Sequence, residues 1–135
     1  MLRMICFIAC SILAFVGCNS SPVSDQASTL AVDFEWTEKS GCSSISPPIE
    51  VTDIPEETKY LKVTMADLDM PTYDHGGGEV TYNGTLTITE GTLKAYSGPC
   101  PPPGTEHTYE ITVQALSADK KLVIGRGKAI KKFSK

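Results

Sequence analysis

The chain has 135 residues, enough for one domain and not two. It is 41% hydrophobic and 21% charged, an ordinary globular balance that excludes a disordered tail. Its formal net charge is -4, and no run of Lys and Arg is dense enough to follow a phosphate backbone, so no nucleic-acid partner is expected. The absence of an internal repeat excludes solenoids and propellers.

The first element is an address. Arg3 supplies a short positive region, and residues 5–17 are uncharged and mostly apolar. That stretch is shorter than the ~20 residues of a membrane span. It ends in Ala14-Phe15-Val16-Gly17-Cys18. This resembles the lipobox of bacterial lipoproteins, with Phe15 where Leu is usual. The resemblance implies a signal peptide over 1–17, a lipid (palmitate included) on Cys18, and a place in the bacterial cell envelope. Asn19 after the Cys resembles outer-membrane sorting, where the organism has an outer membrane. An ordinary secretory cleavage and an uncleaved anchor are the rival readings. Residues 18–29 are Ser-rich and polar, and read as a tether ahead of a domain over 30–135. Without residues 1–17 the cations fall from 12 to 11 against 16 acids, a net charge of -5. Cys42 and Cys100 are then the cysteines left after lipidation, and two cysteines in an exported chain suggest one disulfide.

The remainder reads as strands. Val32, Phe34 and Trp36 alternate with acids. Leu61, Val63 and Met65 alternate with Lys62, Thr64 and Ala66. Val80 to Tyr82 is a shorter candidate, and Asn83-Gly84 is a hairpin signal leading to Leu86 and Ile88 among threonines. Tyr109, Ile111, Val113 and Ala115 alternate with polar residues, Ser117 to Asp119 reads as a turn, and residues 121–124 as a last short strand. Residues 116–122 have room for one helical turn at most. The expected class is all-β and mainly antiparallel, with little or no helix.

Three proline-bearing loops interrupt these strands: residues 43–48, residues 67–78 and residues 96–109. Prolines at this density cannot feed a sheet ladder. Parity continues the inward face of Leu61, Val63 and Met65 to Asp67 and Asp69, and places His107 on the face of Tyr109. Carboxylates and imidazole aimed inward are costly unless they meet one another or a ligand. Asp67, Asp69, His75, His107 and Tyr109 would then share one cleft. The rival readings are a rigid corner for Gly98 to Gly104, turn caps for the two aspartates, and a core pair for His107 and Tyr109. Gly76-Gly77-Gly78 reads as a tight turn or close backbone approach rather than an anion nest.

The pattern Ser46-Pro47-Pro48, D-x-D-x-P at residues 67–71, a following His75, and GPCPPPG-x-x-H-x-Y at residues 98–109 resembles the phosphatidylethanolamine-binding protein family. That family includes bacterial Raf-kinase-inhibitor-like proteins. The resemblance runs from about Phe34 to Leu116. It implies a two-sheet β-fold and a ligand pocket for a small anion, a phosphate or a phospholipid head group. Carried over residue by residue, the pocket is Asp67, Asp69, Pro71, His75, Pro101, His107 and Tyr109. Cys42 and Cys100 each lie beside a proline-rich loop of that pocket. The chain departs from the family at Leu68, where Pro is usual, at Gly76 to Gly78 after the histidine, and in its short end after the last strand.

The function this implies is a membrane-anchored binding module without cofactor or catalysis. The esterase reading fails because no G-x-S-x-G is present: Ser97 has Ala95 and Pro99 at the glycine positions. The alternatives are a protein-interaction or inhibitor domain, and a metal site from Asp67, Asp69, His75 and His107.

Overall fold

A computed structural model describes residues 21–135. The expected signal peptide, Cys18 and the first residues of the expected tether lie outside the described residues. Nine strands are present, and no helix occurs among the described residues. They are β1 (Val23–Thr29), β2 (Ala31–Phe34), β3 (Ile49–Thr52), β4 (Tyr60–Asp67), β5 (Asp74–Thr81), β6 (Thr87–Ile88), β7 (Ala95–Tyr96), β8 (Glu106–Leu116) and β9 (Val123–Ser134). One sheet has the order β1-β9-β8-β4-β5-β7 and the other β2-β3-β6. All pairs are antiparallel except β1 with β9.

The all-β, two-sheet expectation holds. In β4 the alternation is complete: Leu61, Val63, Met65 and Asp67 are buried and the residues between them exposed. The central strand β8 buries Tyr109, Ile111, Val113 and Ala115 between β4 and β9. Phe34, Ile49, Val51 and Ile88 of the small sheet complete the same core.

Three expectations need correction. The polar segment read as a tether is a strand from Val23 to Thr29, laid parallel on β9. It is an edge strand that buries little, so its serines cost nothing there, and its pairing closes the free side of β9. Asn83-Gly84 does not close a hairpin, because β5 and β6 belong to different sheets. The Asn83 side chain instead makes an Asx turn, its Oδ1 accepting from the Thr85 amide at 3.2 Å. The segment after it pairs instead with β3, where the Val51 amide donates to the Leu86 carbonyl. Leu86 itself is exposed, unlike the buried Ile88. Finally, the last strand is not residues 121–124 but the twelve residues of β9. Its inward positions include Gly125 and Gly127. A Cβ on Gly127 would lie 2.2 Å from the Leu30 carbonyl oxygen, so hydrophobic alternation is absent where it was sought.

Candidate functional site

The site sits where β4, β5 and β8 end together. The β4–β8 register places Asp67 opposite Tyr109, so the end of one strand meets the start of the other. His107, two residues before Tyr109 on the same face, reaches the Asp67 carboxylate at 2.7 Å from its Nδ1. The other Asp67 oxygen accepts the amides of Asp69 and Met70 at 2.9 and 3.0 Å. Asp67 is 4% exposed, and burial alone would raise its pKa. The His107 hydrogen bond and the two amides outweigh that and hold the carboxyl below the usual aspartate value.

His75 enters from β5 through an irregularity in its ladder with β4. Gly76 and Gly77 have φ of +63° and +151°. A Cβ at these positions would stand 1.9 Å from the Ala95 oxygen and 2.0 Å from the Val63 oxygen. Only glycine lets β5 pass this closely between β4 and β7. The glycine run is therefore a close backbone approach, as expected. It leaves His75 3% exposed, with Nδ1 hydrogen-bonded to the Ser97 carbonyl at 2.8 Å.

Tyr109 forms the floor. It is fully buried, edge-on to His75 at 5.4 Å between ring centroids and backed by Trp36 at 5.9 Å. Trp36 is fixed in turn by its indole N–H on the Lys132 carbonyl at 2.9 Å. The Tyr109 hydroxyl has no hydrogen-bond partner within the protein. Burial, with the Asp67 carboxylate next, pushes its pKa up to about 12.

These groups line a cavity of about 270 Å³. Its inner wall is Asp67, His75, His107 and Tyr109, and its mouth is Met70, Tyr73, Cys100 and Pro102. Four of the seven expected pocket residues thus come together and three do not. Asp69 is exposed and its carboxylate accepts the Thr108 amide at 2.6 Å, so it pins two loops to each other. Parity fails there because the chain leaves the strand at Asp67 and turns. Pro71 is exposed beyond that turn, and Pro101 is fully buried behind the wall. Asp67 is both a turn cap and a pocket wall, so the two readings of that residue were not exclusive.

Tyr73 and Met70 were not anticipated. The Tyr73 ring lies beside that of His75 at 4.7 Å, tilted by 57°, and its one signal was a two-residue spacing from His75 inside a loop, too little to place it. Alternation inside the proline run carried another: Pro99 and Pro101 are buried, whereas Cys100 and Pro102 are exposed and face the cavity. Cys42 and Cys100 form a disulfide with a Cα–Cα distance of 4.6 Å, as expected from their count. The four-residue metal set does not converge, since Asp69 faces away. Among the described residues no three His, Cys, Asp or Glu side chains are grouped as metal ligands.

Known proteins place this architecture. The phosphatidylethanolamine-binding protein family model matches residues 76–135. The CT736 homologue of that family from Chlamydia trachomatis superposes with a TM-score of 0.58 at 21% identity, covering 82% of this chain and 99% of that one. Escherichia coli YbcL, a member of the mammalian family, superposes at 0.57 and 18% identity, covering 83% and 96%. No curated protein sequence matches the chain. The resemblance read from the motifs is therefore borne out, in the fold and over residues 76–135.

Proposed function

From the phosphatidylethanolamine-binding fold and that family's pattern in residues 76–135, we propose a non-catalytic module whose pocket holds a small phosphate-bearing anion. The observation that carries this is the hydrogen bonding of its two imidazoles. Both Nδ1 atoms face acceptors, the Ser97 carbonyl and the Asp67 carboxylate, so both carry a proton. Each Nε2 is then a lone pair in neutral imidazole and a donor only in the cation. With both rings protonated, the inner wall carries two positive charges against one carboxylate. That net charge of one suits a monoanion, and the unpartnered Tyr109 hydroxyl supplies a further donor. Drug-sized ligands need roughly 300–1,000 Å³. A cavity of about 270 Å³ fits phosphate, a small phosphomonoester such as phosphoethanolamine, or the phosphodiester of a lipid head group.

No arginine lines this cavity, so a bidentate clamp is missing and binding is weak, with Kd above ~10 μM. Because an imidazole donates from Nε2 only as the cation, phosphate binding should tighten as the pH is lowered from 8 to 6. Calorimetric titration of inorganic phosphate and phosphoethanolamine at both values tests this, alongside His107→Ala. Affinity that is absent at both pH values, or indifferent to His107, rejects the reading.

Lipidation of Cys18 completes the proposal: it puts the module in the bacterial cell envelope, at the outer membrane where the organism has one. Two or more acyl chains hold such a domain stably. A protein-interaction or inhibitor role is the second reading. It is favoured by Leu68, Met70 and Tyr73, each about half exposed at or beside the mouth (47%, 48% and 52%). A partner that still binds after His107→Ala would support that role instead.

A further inference from the structure

The pocket wall is held in place by a disulfide between two exposed residues. The segment from Ser97 to Pro102 carries two of the pocket's parts: the Ser97 carbonyl that orients His75, and Cys100 and Pro102 at the mouth. This segment rests on the loop from Ser40 to Ser43. The Cys42 amide donates to the Pro99 carbonyl at 2.8 Å, and the Gly98 amide to the Ser43 carbonyl at 2.7 Å. A Cβ on Gly98 would lie 2.3 Å from the Ser40 oxygen, so the two loops touch backbone to backbone. The Cys42–Cys100 disulfide locks this contact. Both cysteines are exposed, and Cys42 has a φ of +48°, a left-handed backbone that a residue with a Cβ adopts only when its surroundings enforce it. Exposed or strained disulfides are the ones open to reduction.

We infer that the Cys42–Cys100 disulfide is a redox lock on the ligand pocket, competent when oxidised and loosened by a dithiol reductant of the thioredoxin chemical class. A thiolate of the reductant attacks one sulfur, the Cys42–Cys100 bond breaks, and the leaving sulfur takes up a proton. The second thiol of the reductant then displaces the remaining cysteine. Two electrons and two protons pass to Cys42 and Cys100, and the reductant becomes a disulfide. Without the bond, two backbone hydrogen bonds remain between the loops, and Cys42 is free to leave its left-handed conformation. Ser97 keeps its amide hydrogen bond to the His75 carbonyl at 2.9 Å, but the loosened residues after it let the Ser97 carbonyl turn away from the His75 ring. His107 is unaffected, because its orientation comes from Asp67 on β4.

This rests on the pocket reading for its ligand but not for its geometry, which gives two separate tests. Long-range proton–nitrogen spectra of the imidazoles are recorded for the oxidised and reduced protein without ligand, with circular dichroism to follow the fold. The expected result is that the His75 signals shift or broaden on reduction while those of His107 stay, and that reoxidation reverses it. The Cys42→Ser/Cys100→Ser protein should resemble the reduced form. Phosphate affinity should fall about tenfold on reduction, the scale of one preorganised donor lost. Unmoved His75 signals, equal movement of both histidines, or loss of the whole fold each overturns the lock. An oxidised protein that binds no phosphate, with His75 still responding, overturns the ligand reading alone.

Discussion

Replacing Asp67 by Ala removes the acceptor for three donors at once: His107 Nδ1, and the amides of Asp69 and Met70. The two amides sit in a turn that water can reach, so most of the loss falls on the charge-assisted bond to His107. Hydrogen bonds to charged groups contribute roughly 1.5–3 kcal/mol, and the orphaned partners add to that, giving about 2–4 kcal/mol of destabilisation. For a domain of this size, about 4 °C of melting temperature accompanies each kcal/mol, so the midpoint should fall by roughly 8–16 °C. Asp67→Asn keeps one acceptor oxygen and should lose about half as much. The pH dependence separates this from a packing defect. The folded-state pKa of Asp67 lies below the unfolded value of about 3.9. Its stabilisation is therefore present above ~pH 4 and is lost as the pH falls through its folded pKa. Thermal scans from pH 7 to pH 3 should show the wild type and Asp67→Asn converging at the acid end. Curves that stay parallel, or a variant within ~2 °C of wild type at pH 7, would refute the buried, doubly used carboxylate.

Three further outcomes follow from the same geometry. Gly77→Ala meets the Val63 carbonyl at 2.0 Å and should cost more than about 3 kcal/mol, seen as a failure to fold or a collapse of the denaturant midpoint. Tyr109→Phe removes a buried hydroxyl that has no partner, so it should raise stability by about 1 kcal/mol while weakening phosphate binding. A loss of stability there would mean that the hydroxyl is bonded. Cys18→Ala should release the protein from the membrane fraction, and unchanged partitioning at unchanged size would reject lipidation.

The parts of the fold visible in the sequence are those where one face is buried and the other wet. β4 satisfies this fully and β8 largely, and the inward residues of both were legible, with the strand ends one or two residues further out. β9 was not, because glycines occupy its inward positions where Leu30 crosses, and lysines line its other face. β1 was hidden for a related reason: an edge strand with little burial has no hydrophobic period to read. The hairpin signal of Asn83-Gly84 failed at the level of pairing. A turn motif fixes a reversal of the chain, whereas the choice of partner belongs to β3. In the site, Asp67, His107 and Tyr109 were recoverable because strand parity and a specific motif agreed, whereas His75 came from the motif alone. Asp69 departed once the strand ended, and Tyr73 lay in a loop that parity alone could not place.

The central claim is that His75 and His107 face one ligand with their Nε2 atoms. Long-range proton–nitrogen correlation spectra of the two imidazoles, recorded at pH 6 while inorganic phosphate is titrated, test it most directly. Both Nε2 resonances should move together along one saturable curve, with both Nδ1 protons retained. Resonances that stay fixed, or a response confined to surface lysine signals, would contradict it.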